Sequence, residues 1–288
     1  MKGLASFVMS GRFQALLVAL AGAGSLLFCW ISAAVVALVT LRKGAAAGGW
    51  LLAWALLPAG TLMFVYADSG PLSLLVATAV LALVLRATVN LPLAVLCAVP
   101  LGGLAGLALM AFSGEQLQQV ASYLGDFLAA IEQQLSQGGE AVVLSRPDAA
   151  QVAGMMGAGT AMTAVLCLLL ARYWQAALYN PGGFRGEFHA LRFDMRWSLL
   201  VVVLVVSSWI TRQPMLADLA GLSVLVYALQ GLAVLHALGA AKGFPKFWMI
   251  VIYAPMVLLF TAAVQLLALL GLVDTWLDLR KRIGADAG

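Results

Sequence analysis

Apolar runs of roughly 17–25 residues, the length that crosses a hydrocarbon core as a helix, recur along this chain from residue 13 to residue 272. No other feature limits the fold as much. Backbone placed in lipid must satisfy its own N–H and C=O groups, which only helices and closed barrels achieve. The strict polar/apolar alternation of barrel strands is absent, so the runs read as helices of an all-α, polytopic transmembrane bundle. Composition agrees: 64% of the 288 residues are hydrophobic and 10% are charged, with a mean hydropathy of +1.02. A water-soluble globule is excluded.

Cuts at charges, prolines and glycine clusters give spans at about 13–41, 48–66, 71–88, 90–113, 151–173, 197–211, 215–240 and 247–272. The first is interrupted by "AGAGS" at 21–25, where glycines permit a kink or a re-entrant turn. That makes eight spans if it is single and nine if it is a hairpin. Although Lys2 and Arg12 precede it, this stretch is too long for a signal-peptide core and is expected to stay attached. Cys29, Cys97 and Cys167 lie inside apolar runs with neither CxxC spacing nor a nearby histidine, and read as small packing residues.

Residues 114–150 form an acidic insertion, with Glu115, Asp126, Glu132, Glu140 and Asp148 against Arg146, and its first part has the spacing of an amphipathic helix. Basic segments lie at 41–44, at 242–246 (Lys242 and Lys246) and at 174–196. Short loops rich in Lys and Arg stay cytoplasmic, so the insertion is expected outside and the basic segments inside. After residue 247, a single crossing would put Arg280, Lys281 and Arg282 outside, against that rule. A break near residues 255–261 returns the chain inside, and that reading is adopted. The cell membrane implied is a bacterial cytoplasmic (inner) membrane.

The basic segment contains more than topology requires. Arg172 and Arg196 fit the role of orientation anchors. Between them, "YNPGG" stops a helix: Asn180 precedes Pro181, and Gly182 and Gly183 permit turn geometry. In "FRGEFHALRF", Phe184, Phe188 and Leu191 share one side of a short helix while Arg185, His189 and Arg192 share another. Asn180, Pro181, Gly182, Gly183, Arg185, Glu187, His189 and Arg192 are therefore candidates for docking a cytoplasmic protein partner or membrane lipids. His189 and Glu187, two positions apart with no nucleophile nearby, do not form a catalytic pair, and an enzyme is not expected.

"LYNPGGFRGEFHALR" (178–192), "ALVTLRKG" (37–44), "LQGLAVLH" (229–236) and "GLVDTWLDLR" (271–280) resemble the YybS-like family of uncharacterised bacterial membrane proteins. Its members are similar in fold to the substrate-binding membrane subunits of energy-coupling factor transporters. The resemblance implies a helical bundle with a small-molecule pocket opening outward.

Polar groups inside spans mark such a pocket, because lipid-facing ones are costly. Ser223, Tyr227 and Gln230 recur at spacings of four and three, with Asp218 nearer the outer end beside Arg212. Gln265 is expected to face the bundle. These five are the candidate ligand-binding residues, with helix-helix hydrogen bonding as the competing role. On the pocket reading, Gln230→Leu would leave folding nearly intact. Asp274 and Asp278 read as members of a solvated interfacial helix, and His236 as a hydrogen-bonded packing residue. Gly154 with Ala158 and Gly157 with Ala161 permit close helix approach, within the chain or in a homo-oligomer. No phosphate-cradling GxxxxGK[ST] motif is present, so a partner would supply any ATP hydrolysis. No cofactor is expected, and the net charge of +4 is accounted for by the inner loops, without nucleic-acid binding.

Overall fold

The computed structural model describes residues 2–136, 143–245 and 247–281; Glu140, Lys246 and Arg282 of the sequence reading lie outside the described residues. All the elements described are helices. The chain begins with α1 (Lys2–Ser10), α2 (Arg12–Ala23), α3 (Cys29–Lys43), α4 (Ala45–Tyr66) and α5 (Gly70–Thr88). It continues through α6 (Leu91–Leu96), α7 (Ala98–Phe112), α8 (Gly114–Ser136), α9 (Ala149–Tyr179) and α10 (Gly183–His189). The last four are α11 (Met195–Thr211), α12 (Pro214–Ala241), α13 (Trp248–Leu258) and α14 (Phe260–Leu277).

Among the described residues, six helices are long and apolar enough to cross a membrane: α4, α5, α6 with α7, α9, α12 and α14. The expectation of eight or nine spans is therefore not met on helix length. The reason at the N-terminal side is the "AGAGS" interruption, which yields two helices rather than one bent one. Ser32 donates to the carbonyl of Ala19 at 2.7 Å and locks α2 against α3. The tip of this hairpin is level with the middle of α4, where Gly24 packs against Pro58, about 20 Å along that helix. At 15 residues, or about 22 Å, α3 is shorter than the roughly 30 Å core of a bilayer. Its residues 32–41 are buried all round, in contact with α2, α4, α5 and α9. A helix apolar on every side belongs in the centre of a bundle, and α3 occupies that place.

Close helix approach also decides the neighbours of α9. Gly157 packs on the backbone of Gly102 and Gly106 in α7, so the small-residue pattern is used inside the chain. Asp148 caps α9 with a reciprocal capping box involving Gln151.

The C-terminal side contains the expected break. It falls at Leu259, whose φ of −132° and ψ of 54° separate α13 from α14. Gly231 packs against Leu267 and Gly271 against Tyr227 and Gly231, while Ala237, Leu238 and Ala241 share a cleft with Asp278 and Lys281. The glycines mark a crossing around positions 227–231 and 267–271, and from there both helices reach the same end of the bundle at 237–241 and 278–281, so α14 runs parallel to α12. This brings Arg280 to the end of the bundle that holds His189.

Contacts gather the basic segments at that one end. Arg86 donates to the carbonyls of Leu41 (2.8 Å) and Thr40 (3.3 Å), capping α3, and Arg42 stacks 3.9 Å above the Tyr179 ring. Arg192 reaches Asp278. Asn90 caps α6 by accepting from the N–H of Leu93. The opposite end carries α8, Asp148 and Asp218, so the charge asymmetry read from the sequence is a property of the folded bundle. In α8 the buried or half-buried residues Leu117, Ala121 and Leu124 pack with Leu109, Val152 and Ala153.

Candidate functional site at the basic end

Position 182 sets the site's geometry. Gly182 has φ +89°, a left-handed angle open to glycine at little cost, and it turns the chain from α9 into α10. The turn folds α10 back over the bundle. Phe184 meets Tyr173 edge-on at 6.0 Å and Phe188 meets His236 at 5.9 Å, so the aromatic side of α10 faces helix ends. Arg172 then pairs with Glu187 at 2.8 Å, which gives it a structural contact beyond an orientation anchor. Asn180 packs beside Gly183, and Pro181 is exposed.

The supposed basic face of α10 is divided. Arg185 is exposed, but Arg192 turns inward, donating to the carbonyl of Thr275 at 2.9 Å and pairing with Asp278 at 2.7 Å. His189 is half-buried, its ring 6.3 Å from that of His236. Burial, then the positive charges of Arg185, His236 and Arg280, push the His189 imidazole below its ordinary pKa and favour its neutral form. Burial pushes the Asp278 carboxyl up, but hydrogen bonds from Lys281 and Arg192 outweigh it and hold the group below the usual carboxylate range.

Gln230 and Asp274 form the centre of this arrangement, both 0% exposed. Gln230 Oε1 accepts from the N–H of Phe193 at 2.9 Å. Its Nε2 is shared among the Gly271 carbonyl (2.7 Å), Thr275 Oγ1 (3.0 Å) and Asp274 Oδ2 (3.1 Å). Asp274 Oδ2 is also paired with Arg280 at 2.6 Å, and Arg280 donates to the carbonyl of His189. Gly271, Asp274, Thr275 and Asp278 lie on one helical face by their three- and four-residue spacing. The network joins α12, α14 and the strap of residues 189–193. Asp274 is thus a buried ion-pair member, contrary to the solvated-helix reading. The sequence signal was present in its spacing from Gly271 and Asp278, but Lys281 and Arg282, at i+3 and i+4 from Asp278, made a solvated helix the cheaper reading.

The five candidate pocket residues do not converge. Ser223 bonds the carbonyl of Leu219 in its own helix, and Tyr227 bonds Ser198 at 2.8 Å. Gln230 is fully used as described. Asp218 borders a crevice of about 60 Å³ with Gly102, Gly106 and Gly154 and has no ion pair with Arg212 among the described residues. Gln265 is exposed, a correction: Val264, Leu267, Ala268 and Gly271 take the bundle-facing side of α14, and position 265 is about 100° from 264 and leads away from it. His236 does bond Tyr253, at 3.0 Å.

The expectation for Gln230→Leu changes accordingly. The substitution would strand the buried N–H of Phe193, at about 1–3 kcal/mol, and remove a donor from Asp274. A loss of about 2 kcal/mol or more in unfolding free energy is expected, measured by denaturant titration in detergent micelles. An unchanged midpoint would show that the network carries no stability.

Larger spaces flank Arg192. One open cleft of about 640 Å³ is lined by Asn90, Arg192, Asp194, Trp197 and Thr275 among others. A second, of about 450 Å³, includes Gly186, His189, Arg192, Asp278 and Arg280. Arg192 borders both, and its two bonds hold it between them. Among the described residues, no group of three His, Cys, Asp or Glu side chains could hold a metal ion. Compared with known proteins, the chain matches no family model, no curated protein and no solved structure.

Proposed function

We propose that this chain is a membrane-embedded subunit that binds or transports a small solute, without an ATPase of its own, in a bacterial cytoplasmic membrane with the basic end inward. The observation that carries this reading is the pair of clefts separated by Arg192. Solute pockets commonly measure about 300–1,000 Å³, and both clefts fall in that range, whereas the crevice beside Asp218 does not. The binding region therefore moves from the outer halves of the spans to the basic end. Ionisable groups kept inside a membrane bundle are candidates for solute or ion pathways; Arg192 lines both clefts and Arg280 one of them, with the buried Asp274 paired behind Arg280. The resemblance to YybS-like proteins supports the same class, at the level of fold analogy. No catalysis is assigned to His189 or Glu187.

A second reading, in which the chain docks partners through its outer insertion and its inner basic helix, is favoured by α8, where Val120, Tyr123 and Phe127 are exposed. On that second reading the chain is an envelope partner or assembly protein that carries no solute.

Native mass spectrometry of the protein extracted directly from membranes separates the two. Wild type and the exposed-site control Arg185→Gln are expected to retain a co-purified small molecule, and Arg192→Gln to lose at least about 80% of it. A tenfold weakening, about 1.4 kcal/mol, gives that loss when the free solute is at or below its wild-type Kd. Absence of any retained solute in all three would sink the solute reading and leave the docking one.

A further inference from the structure

Four cations stand around the end of α3 that meets the basic face: Arg12, Arg42, Lys43 and Arg86. Two are committed. Arg86 caps the carbonyls of Leu41 and Thr40, and Arg42 lies over the Tyr179 ring. Arg12, the first residue of α2, and Lys43, the last of α3, have no hydrogen bond or ion pair among the described residues. Both line a single cleft of about 440 Å³, and no Asp or Glu is among its lining residues. Topology alone asks only that basic residues lie on this side. It does not ask two exposed cations, one at each end of the hairpin, to line one cleft with no acid in its walls.

The remaining walls identify the ligand's chemistry. Ala15, Val39 and Leu51 give the cleft an apolar side, and Trp50 stands at its edge. Trp50 and Trp54, their rings 6.3 Å apart and edge-on, are both partly exposed, as aromatic residues are at headgroup level. Next to Arg12, Phe13 and Leu17 of α2 are exposed at 83% and 63%, an apolar surface leading from the charges along the hairpin. A ligand that satisfies all of this has a phosphate for the two cations and long apolar chains for the surface beside them.

We propose that the cleft between the ends of the α2–α3 hairpin and the start of α4 binds the phosphate headgroup of an anionic phospholipid. Basic pockets between membrane helices on the cytoplasmic side take such headgroups. The proposal is independent of the solute reading, because none of its residues borders the clefts beside Arg192.

The test is native mass spectrometry of the full chain in detergent, titrated with phosphatidylglycerol, phosphatidylcholine or sodium phosphate. Phosphatidylglycerol is expected to bind wild type, and the double variant Arg12→Gln/Lys43→Gln to weaken that binding about 30-fold, the product of a roughly fivefold loss for each surface charge. The charge-preserving Arg12→Lys/Lys43→Arg double variant and Arg196→Gln, an exposed cation elsewhere on the same end, are expected to bind within about twofold of wild type. Circular dichroism and melting midpoints check that each variant folds. Three results would each overturn the proposal: full binding by Arg12→Gln/Lys43→Gln, an equal loss in Arg196→Gln, or displacement of the lipid by millimolar sodium phosphate. The last would identify a site for small phosphate anions instead.

Discussion

Arg280→Met is expected to destabilise the protein by about 3–5 kcal/mol, the cost of leaving a buried charge without its partner. Asp274 is 0% exposed at its side chain and Arg280 15%, so the two members of the pair do not have equal escape routes. When Arg280 is removed, the Asp274 carboxylate stays enclosed with only the Gln230 amide. When Asp274 is removed, the long Arg280 side chain can swing outward at the end of the bundle, as arginines near helix ends do. Asp274→Leu should therefore cost less than Arg280→Met. The double variant Arg280→Met/Asp274→Leu should recover most of the loss, because apolar replacement of a whole buried pair is often neutral or stabilising. Denaturant titrations of the four proteins in one detergent supply the cycle. Equal costs for the two single variants, or additive costs in the double, would refute the account of a buried, mutually dependent pair.

That pair also shows where the sequence ceased to be legible. Membrane class and helix type were readable because apolar run length and the absence of alternation are local properties. The split at "AGAGS" and the break between α13 and α14 were readable for the same reason, since glycines and a proline mark them. Helix depth was not. The hairpin of α2 and α3 is as apolar as a crossing, and its shortness becomes visible only once its tip is found beside Pro58 of α4.

The site was legible in part. "NPGG" and the residues after it announced a turn and a short helix, which are present with Gly182 at positive φ. The inward turn of Arg192 was hidden, because its partners Thr275 and Asp278 lie more than 80 residues away. The polar stripe of Ser223, Tyr227 and Gln230 was found by spacing, yet spacing does not distinguish a residue lining a cavity from one bonded to a neighbouring helix. Here Phe193, Ser198 and α14 supply the partners. Gln265, alone in its apolar run, pointed to the bundle by cost and faces away from it by helical phase.

Gly231→Val is expected to lower stability by about 3 kcal/mol or more, the upper range for forcing volume into a packed interface. A side chain at this position would overlap the backbone of Leu267, and the reciprocal Gly271 already rests on the backbone of Tyr227 and Gly231. Backbone cannot rotate aside as a side chain can, so α12 and α14 must separate. Gln230 is the next residue, and its bonds to Gly271, Thr275 and Asp274 span the same crossing. Separation therefore breaks polar contacts as well as packing. The control is Gly221→Ala in the same helix, where an added methyl meets nothing within 4 Å. That change should be neutral or stabilising by up to about 1 kcal/mol, since alanine replaces glycine in a helix interior. Melting midpoints of the two variants decide the matter. If Gly231→Val melted with wild type, the close approach of α12 and α14 at Gly231 and Gly271 would be wrong, and with it the Gln230 bonds that span the same crossing.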